Sequence, residues 1–282
     1  MKGLWIAVAV AVAVCAGAAH AGTRVPTRIV SLSPSATDDL FAVGAGKQVV
    51  AVDSLSTYPK TAPVTKLSAF TPNVEAIAKY KPDLVVISND QNHIVRQLGK
   101  LHIPVLTEPA AANFGQVYAE IQQIGKVTGH AAQANAVVAA MKAKVARIVK
   151  TTPRPGEPLR VYHELDPTYY SVTSHTFIGG MYTLLGLKDI ADGAGASTDY
   201  PQLSAEYIVA SNPDLIVLAD TVCCGQSLAT VAARPGWGGI SAVRNHEVVR
   251  VDDSIASQWG TRTVLFLQAV ASAVKTLEHR AG

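Results

Sequence analysis

Two stretches of this chain spell the same structural unit. Asn73-Val74-Glu75 opens the first and Pro82-Asp83-Leu84-Val85-Val86-Ile87 closes it. Ser204-Ala205-Glu206 opens the second and Pro213-Asp214-Leu215-Ile216-Val217-Leu218 closes it, at a constant offset. Asn73 or Ser204 can accept a bond from a free N–H of a first helical turn. Glu75 or Glu206 follows inside that turn, where the helix dipole favours a carboxylate. Ile77 or Ile208 turns inward. The residue before a proline avoids the α region, so each helix must stop there. The short run of Val, Ile and Leu that follows suits a parallel strand buried on both faces. A duplicated helix–Pro-Asp–strand unit predicts two similar α/β lobes.

The segments around the two units fit that reading. Strands are expected at Thr27–Ser31, Gln48–Val52, up to Ser88, and at Ile103–Leu106. Helices are expected at Ala36–Val43 and His93–Leu101. Phe114, Val117, Ile121 and Ile124 fall at helical spacing before Gly129. In the second half, Arg160–Glu164, the run to Ala219 and Glu247–Val251 read as strands. Phe177–Leu185, Leu228–Ala233 and Thr261–His279 read as helices. Between the halves, Ala131 to Lys150 contains no Pro or Gly. That is about 30 Å of continuous helix, a stiff connector where a Gly/Ser linker would leave the lobes free. The fold class is therefore α/β: two similar lobes with central parallel sheets covered by helices, joined by one long rigid helix. The expected division is a lobe at 27–128, the connecting helix at 131–150 and a second lobe at 158–282.

The first residues read as an export signal rather than as fold. Lys2 precedes an apolar run of about ten residues, Trp5 to Val14, and Ala19-His20-Ala21 offers a cleavage site after Ala21. A lipid anchor at Cys15 is the weaker alternative, because Val14 stands where a small residue is expected. Cleavage after Ala21 would leave only the adjacent pair Cys223-Cys224, which gives no disulfide framework. That pair can be a structural turn, a vicinal disulfide or a thiolate metal site. A net charge of +3 with no Lys/Arg cluster among aromatics excludes nucleic acid as an expected partner.

In open α/β sheets the ligand crevice lies beyond the carboxyl ends of the strands. The loops there carry Tyr58, Phe70, Ser88 and Asn89 in the first half. In the second half they carry Tyr169, Tyr170, Tyr200, Cys223 and Cys224, with Asp253 and Trp259 beyond the last strand. Aromatic faces and amides suit a large, flat, partly apolar ligand with hydrogen-bonding edges. Glu75 and Glu206, one per lobe, read as a matched pair of exposed anchors facing one partner. The eight histidines show no compact metal spacing, and no P-loop, dinucleotide fingerprint or G-x-S-x-G is present. No catalytic residues and no metal ligands are expected.

Taken together, Arg28-Ile29-Val30-Ser31-Leu32-Ser33-Pro34-Ser35-Ala36-Thr37, the Tyr58-Pro59 loop, both repeated units and the helix between them resemble a known family. It is that of the iron-chelate and vitamin B12 substrate-binding proteins of ABC importers, of the class III periplasmic-binding-protein type. The resemblance spans about residues 27 to 280. It implies a non-enzymatic, monomeric receptor in the periplasm or at the cell surface, with no resident cofactor. The ligand it implies is a cobalt or iron chelate: a corrinoid first, a ferric siderophore or haem next. The partner it implies is an ABC permease with its ATPase, whose arginines would receive Glu75 and Glu206. Tyr58, Phe70, Tyr170 and Tyr200 stand at or near the aromatics that surround the corrinoid in such proteins, and Ser88 stands where a tryptophan is expected. Two rival readings are a metal-dependent enzyme using the Cys223-Cys224 loop and a ligand-sensing module without transport.

Overall fold

In the computed structural model, residues 24–281 are described; the expected signal segment and Cys15 lie outside them. The first lobe contains β1 (Ile29–Leu32), β2 (Val49–Val52), β3 (Leu84–Ile87) and β4 (Val105–Thr107), in the sheet order β2-β1-β3-β4. The second contains β5 (Arg160–Glu164), β6 (Lys188–Asp189), β7 (Leu215–Leu218) and β8 (Val248–Arg250), in the order β6-β5-β7-β8. All six strand pairs are parallel. The register repeats as well: Leu32 pairs with Ile87 in one sheet and Glu164 with Leu218 in the other.

Helices cover the sheets. In chain order they are α1 (Pro34–Ala42), α2 (Val74–Ala78), α3 (Ile94–Lys100) and α4 (Phe114–Thr128), then α5 (Ala131–Thr151) and α6 (Phe177–Leu184). α7 (Ala205–Ser211), α8 (Leu228–Ala232), α9 (Ser241–Arg244), α10 (Asp253–Ala256) and α11 (Thr263–Ala281) complete the set. The caps are those of the repeated unit. Asn73 Oδ1 accepts from Ala76 N at 2.8 Å, and Ser204 Oγ accepts from Tyr207 N at 3.1 Å. The aspartate after each proline ties the unit to the central strand of its sheet. Asp83 accepts from the amides of Thr27 and Arg28, each at 2.8 Å at the nearest, and Asp214 accepts from Arg160 N at 2.9 Å.

Several boundaries differ from the sequence expectation. The strand expected at Ile103–Leu106 begins at Val105, because Pro104 has no N–H to donate and only its carbonyl joins the ladder, to Val85 N at 2.9 Å. β6, α9 and α10 have no counterpart in the sequence reading; all are too short to show a period. The Tyr-Pro pairs also differ: the Tyr58–Pro59 bond is cis, whereas Tyr200–Pro201 is not.

α5 spans both lobes. Ala134, Val138 and Met141 enter the core of the first lobe with Val117, Ile121 and Ile124 of α4. Ile148 enters the core of the second, with Phe266, Leu267 and Val270 of α11. The α4–α5 crossing is close: a Cβ at Gly125 would lie 2.3 Å from the Ala134 Cβ.

The lobes also meet directly. Phe114, the first residue of α4, packs edge-on against Phe177, the first of α6, at 5.2 Å. Trp259 N donates to Ser35 Oγ at 3.2 Å, and Thr261 N donates to Asp39 Oδ1 at 2.7 Å. Between those bonds, a Cβ on Gly260 would lie 2.7 Å from Asp39 Oδ1 and 3.0 Å from the Ser35 carbonyl. Both are on the lobe opposite, so Gly260→Val must push the seam apart. Overpacking of this kind costs about 1–3 kcal/mol, or roughly 2–10 °C of melting temperature in a chain of this size. A thermal melt checks it; an unchanged midpoint would mean that the seam does not hold the lobes together.

Candidate ligand-binding cleft

Strand order reverses between β1 and β3 in one sheet and between β5 and β7 in the other. Such reversal points open a crevice at the carboxyl ends of the strands. The seam contacts come from these same edges: Ser35 and Asp39 follow β1, and Trp259 and Thr261 follow β8. The segments that follow β1 and β8 therefore meet at the seam, and the loops beyond the two carboxyl edges are the candidate walls of a cleft.

In the loops of the first lobe, Tyr58 is 46% exposed and Phe70 69%. In those of the second, Tyr170 is 41% and Tyr200 51% exposed. Ser88 is half-buried at the end of β3, and Asn89 is exposed beside it. Tyr170 pairs with Gln202 in an isolated antiparallel bridge, and Ser171 N donates to the Pro201 carbonyl at 2.9 Å. Those bonds bring the Tyr170 and Tyr200 segments together.

Other candidates are placed differently from one another. Tyr169 is half-buried and stacks on Trp237, ring centroids 5.5 Å apart, so it faces the protein while Tyr170 faces solvent. Trp259 is half-buried, packed against the first lobe's core from the second lobe's chain. Asp253 receives Val222 N at 2.9 Å and Cys223 N at 2.7 Å, one on each carboxylate oxygen, and so clamps the loop beneath the cysteines. Cys223 and Cys224 are exposed and bonded to each other as a vicinal disulfide. A bonded pair leaves no thiolate for a metal. Among the described residues no group of three or more His, Cys, Asp or Glu is placed to hold a metal ion. Glu75 and Glu206 are exposed in the first turns of α2 and α7.

Each lobe carries a hollow near these loops. One of about 430 Å³ lies between the 173–175 and 196–199 segments at the β6 edge. One of about 210 Å³ lies beside Tyr58, lined by Asp53, Ser56, Pro59 and Lys60.

Charged groups under the walls escape the sequence reading. Arg262 crosses the seam: its guanidinium lies 4.2 Å from the Tyr58 ring centroid and 3.5 Å from Asp38 Oδ2. Asp38 and Asp39 are buried on α1, and Glu108 is buried just past β4. Burial pushes these carboxyls up, to about 7 for Asp38 and about 8 for Asp39 and Glu108. Arg262 opposes the rise at Asp38, and Glu120 and Asp39 add to it at Glu108. In the second lobe burial, followed by repulsion from Glu164, raises Asp220 to about 7. The adjacent Asp38-Asp39 pair, set between the apolar Ala36 and Leu40 of one helix, is the one signal that could have revealed such a cluster from sequence.

Comparison with known proteins gives consistent results. A family model described as periplasmic binding protein matches residues 29–255. An uncharacterized ABC transporter substrate-binding lipoprotein, YvrC of Bacillus subtilis, is 33% identical over 259 residues, 88% of this chain and 80% of the relative. A cobalamin-binding protein of Halobacterium salinarum is 34% identical over 230 residues, 78% of this chain; the match spans 60% of that relative's length. Among solved structures, a possible iron-binding periplasmic solute-binding protein of Staphylococcus epidermidis superposes with a TM-score of 0.75 at 26% identity, covering 89% of this chain and 99% of that one. By its sequence match and by its paired parallel sheets, this chain belongs to the periplasmic binding protein family.

Proposed function

We propose that this chain is the exported substrate-binding component of an ABC importer, which captures a metal chelate between its lobes and delivers it to the permease. The observation that carries this reading is a set of four exposed aromatics on loops beyond the strands, Tyr58 and Phe70 on one lobe and Tyr170 and Tyr200 on the other, all large and all more than two-fifths exposed. Aromatic faces left in water at a cleft are a surface for a flat apolar body, and the tyrosine hydroxyls supply hydrogen bonds at its edge. A corrinoid fits that description first; the relative described as cobalamin-binding supports the same order. Ferric siderophore and haem come next. The stiff α5 and the bonded seam favour capture with modest closure over wide hinge motion. Partners are the permease with its ATPase, the receptor itself being a monomer. The readings as enzyme or as sensor without transport have no feature of the site to favour them.

Corrinoids and haem absorb visible light, so the protein reports its own cargo. The chain purified from cells grown with cyanocobalamin or haemin is expected to carry a visible band at up to one ligand per chain. Protein that stays colourless after growth on either, and again after incubation with either in vitro, would remove both from the ligand list.

A further inference from the structure

We propose that Arg234 is the positioning residue of the second lobe's ligand wall, holding in register the two loops that present Tyr170 and the Cys223–Cys224 turn. The side chain is 12% exposed and lies over the Tyr169 ring. Its guanidinium donates from Nη1 to Glu164 Oε2 at 2.5 Å and from Nη2 to Glu164 Oε1 at 2.7 Å. Nη2 also donates to Gln226 Oε1 at 2.8 Å. The plane lies 4.5 Å from the Trp237 ring centroid and 5.3 Å from that of Tyr169.

Each contact reaches a different piece of the wall. Glu164 is the last residue of β5, fully buried, and the turn it enters closes with Leu165 N on the Tyr170 carbonyl at 2.9 Å. Within that turn Tyr169 has φ +71°, a left-handed conformation that bulky residues avoid. Its ring, held against Trp237 and Arg234, keeps the backbone there and turns Tyr170 outward. Gln226 ends the other loop. Its amide and that of Cys224 both donate to the Asp220 carbonyl, and Asp253 holds the far side. A planar fork with several donors can bind a carboxylate, an amide oxygen and an aromatic face at once; a lysine ammonium cannot. Glu164 is paired to Arg234 and also accepts from the Tyr162 hydroxyl at 3.2 Å, and Asp220, fully buried, has no hydrogen-bond partner on either carboxyl oxygen.

For its ligand the inference rests on the receptor reading above, so the test has one arm that needs no ligand. Amide hydrogen exchange in Arg234→Lys is expected to quicken at Leu165, Cys224 and Gln226 and to stay as in the parent across the first lobe. Titration with cyanocobalamin is expected to show about a tenfold loss of affinity in Arg234→Lys and in Tyr170→Ala, with the double variant little worse than either. Ile208→Val, a buried change in the same core, should lower the melting temperature and leave affinity as it was. Unchanged exchange at those amides, fully additive losses, or an equal loss in Ile208→Val would each overturn the assignment. Faster exchange in a chain whose parent binds none of cyanocobalamin, haemin and a ferric siderophore would support Arg234 as the hub and overturn the receptor reading instead.

Discussion

Reversing the charge at Glu75 and Glu206 together is expected to abolish uptake of the chelate and to leave its affinity for the receptor intact. Both carboxylates are exposed, both stand in the first turn of a short capped helix, and the two helices occupy equivalent places in the two lobes. α2 and α7 each begin where a loop from a carboxyl edge ends, one in each lobe. The Glu206 carboxyl is held below the usual range by its own backbone amide and by the Ser204 hydroxyl. A partner that reads one glutamate on each lobe reads their separation too. Lysine at both sites turns two attractions into two like-charge contacts, which suppresses docking about a hundredfold or more. The single reversals should fall between. Ligand uptake by cells carrying the matching permease, set beside affinity of the purified variants, checks both halves. Loss of affinity would place these carboxylates in the cleft rather than at the docking face.

The second large effect is on stability, which is expected to fall as pH rises from about 4 to about 8. Asp39, Glu108 and Asp189 are buried to 3% exposure or less, and burial raises each to about 8; Asp38 and Asp220 rise to about 7. An unfolded chain releases these protons near pH 4, whereas the folded chain keeps them until 7 or 8. Over that window the folded state binds more protons, so their contribution is fully present below the unfolded value and is lost as pH climbs through the folded one. A tenfold difference in proton affinity between the two states is worth about 1.4 kcal/mol, so a single decade at each of the five groups already makes the fall about 7 kcal/mol. His163 works the other way. It is fully buried, burial lowers it to about 3, and so it favours the folded state above pH 6.5 and loses that contribution as pH drops to 3. One histidine does not offset five carboxyls. Urea midpoints at pH 5 and pH 8, at fixed ionic strength, should be lower at pH 8, and Asp39→Asn should flatten the difference. A midpoint that climbs towards pH 8 would show the seam carboxyls ionised in the folded protein.

The duplicated unit made the architecture legible because each of its signals is local. A cap acts within one turn, proline acts on the residue before it, and an apolar run declares its own burial. The long connector was legible for the same reason, as a stretch without Pro or Gly. What escaped depends on distance along the chain. Asp83 reaches Thr27, Asp214 reaches Arg160, and Arg234 reaches Glu164, and no periodicity encodes such partners. The loops that hold the candidate ligand residues could be named from strand ends, but not the direction of each side chain. Tyr169 and Tyr170 are neighbours in sequence, yet a positive φ at the first sends one ring inward and the other out. Asp253 reads as a candidate ligand residue in the sequence, and two backbone amides of the cysteine loop occupy its carboxylate in the fold.

The central claim is a cleft between two lobes that takes one metal chelate. Calorimetric titration of the purified, ligand-stripped chain with cyanocobalamin, haemin and a ferric siderophore tests it most directly. One of the three should bind one-to-one with a dissociation constant at or below about 1 μM, near −8 kcal/mol, and quench tyrosine and tryptophan fluorescence as the walls are covered. Dissociation constants all weaker than about 100 μM would contradict it.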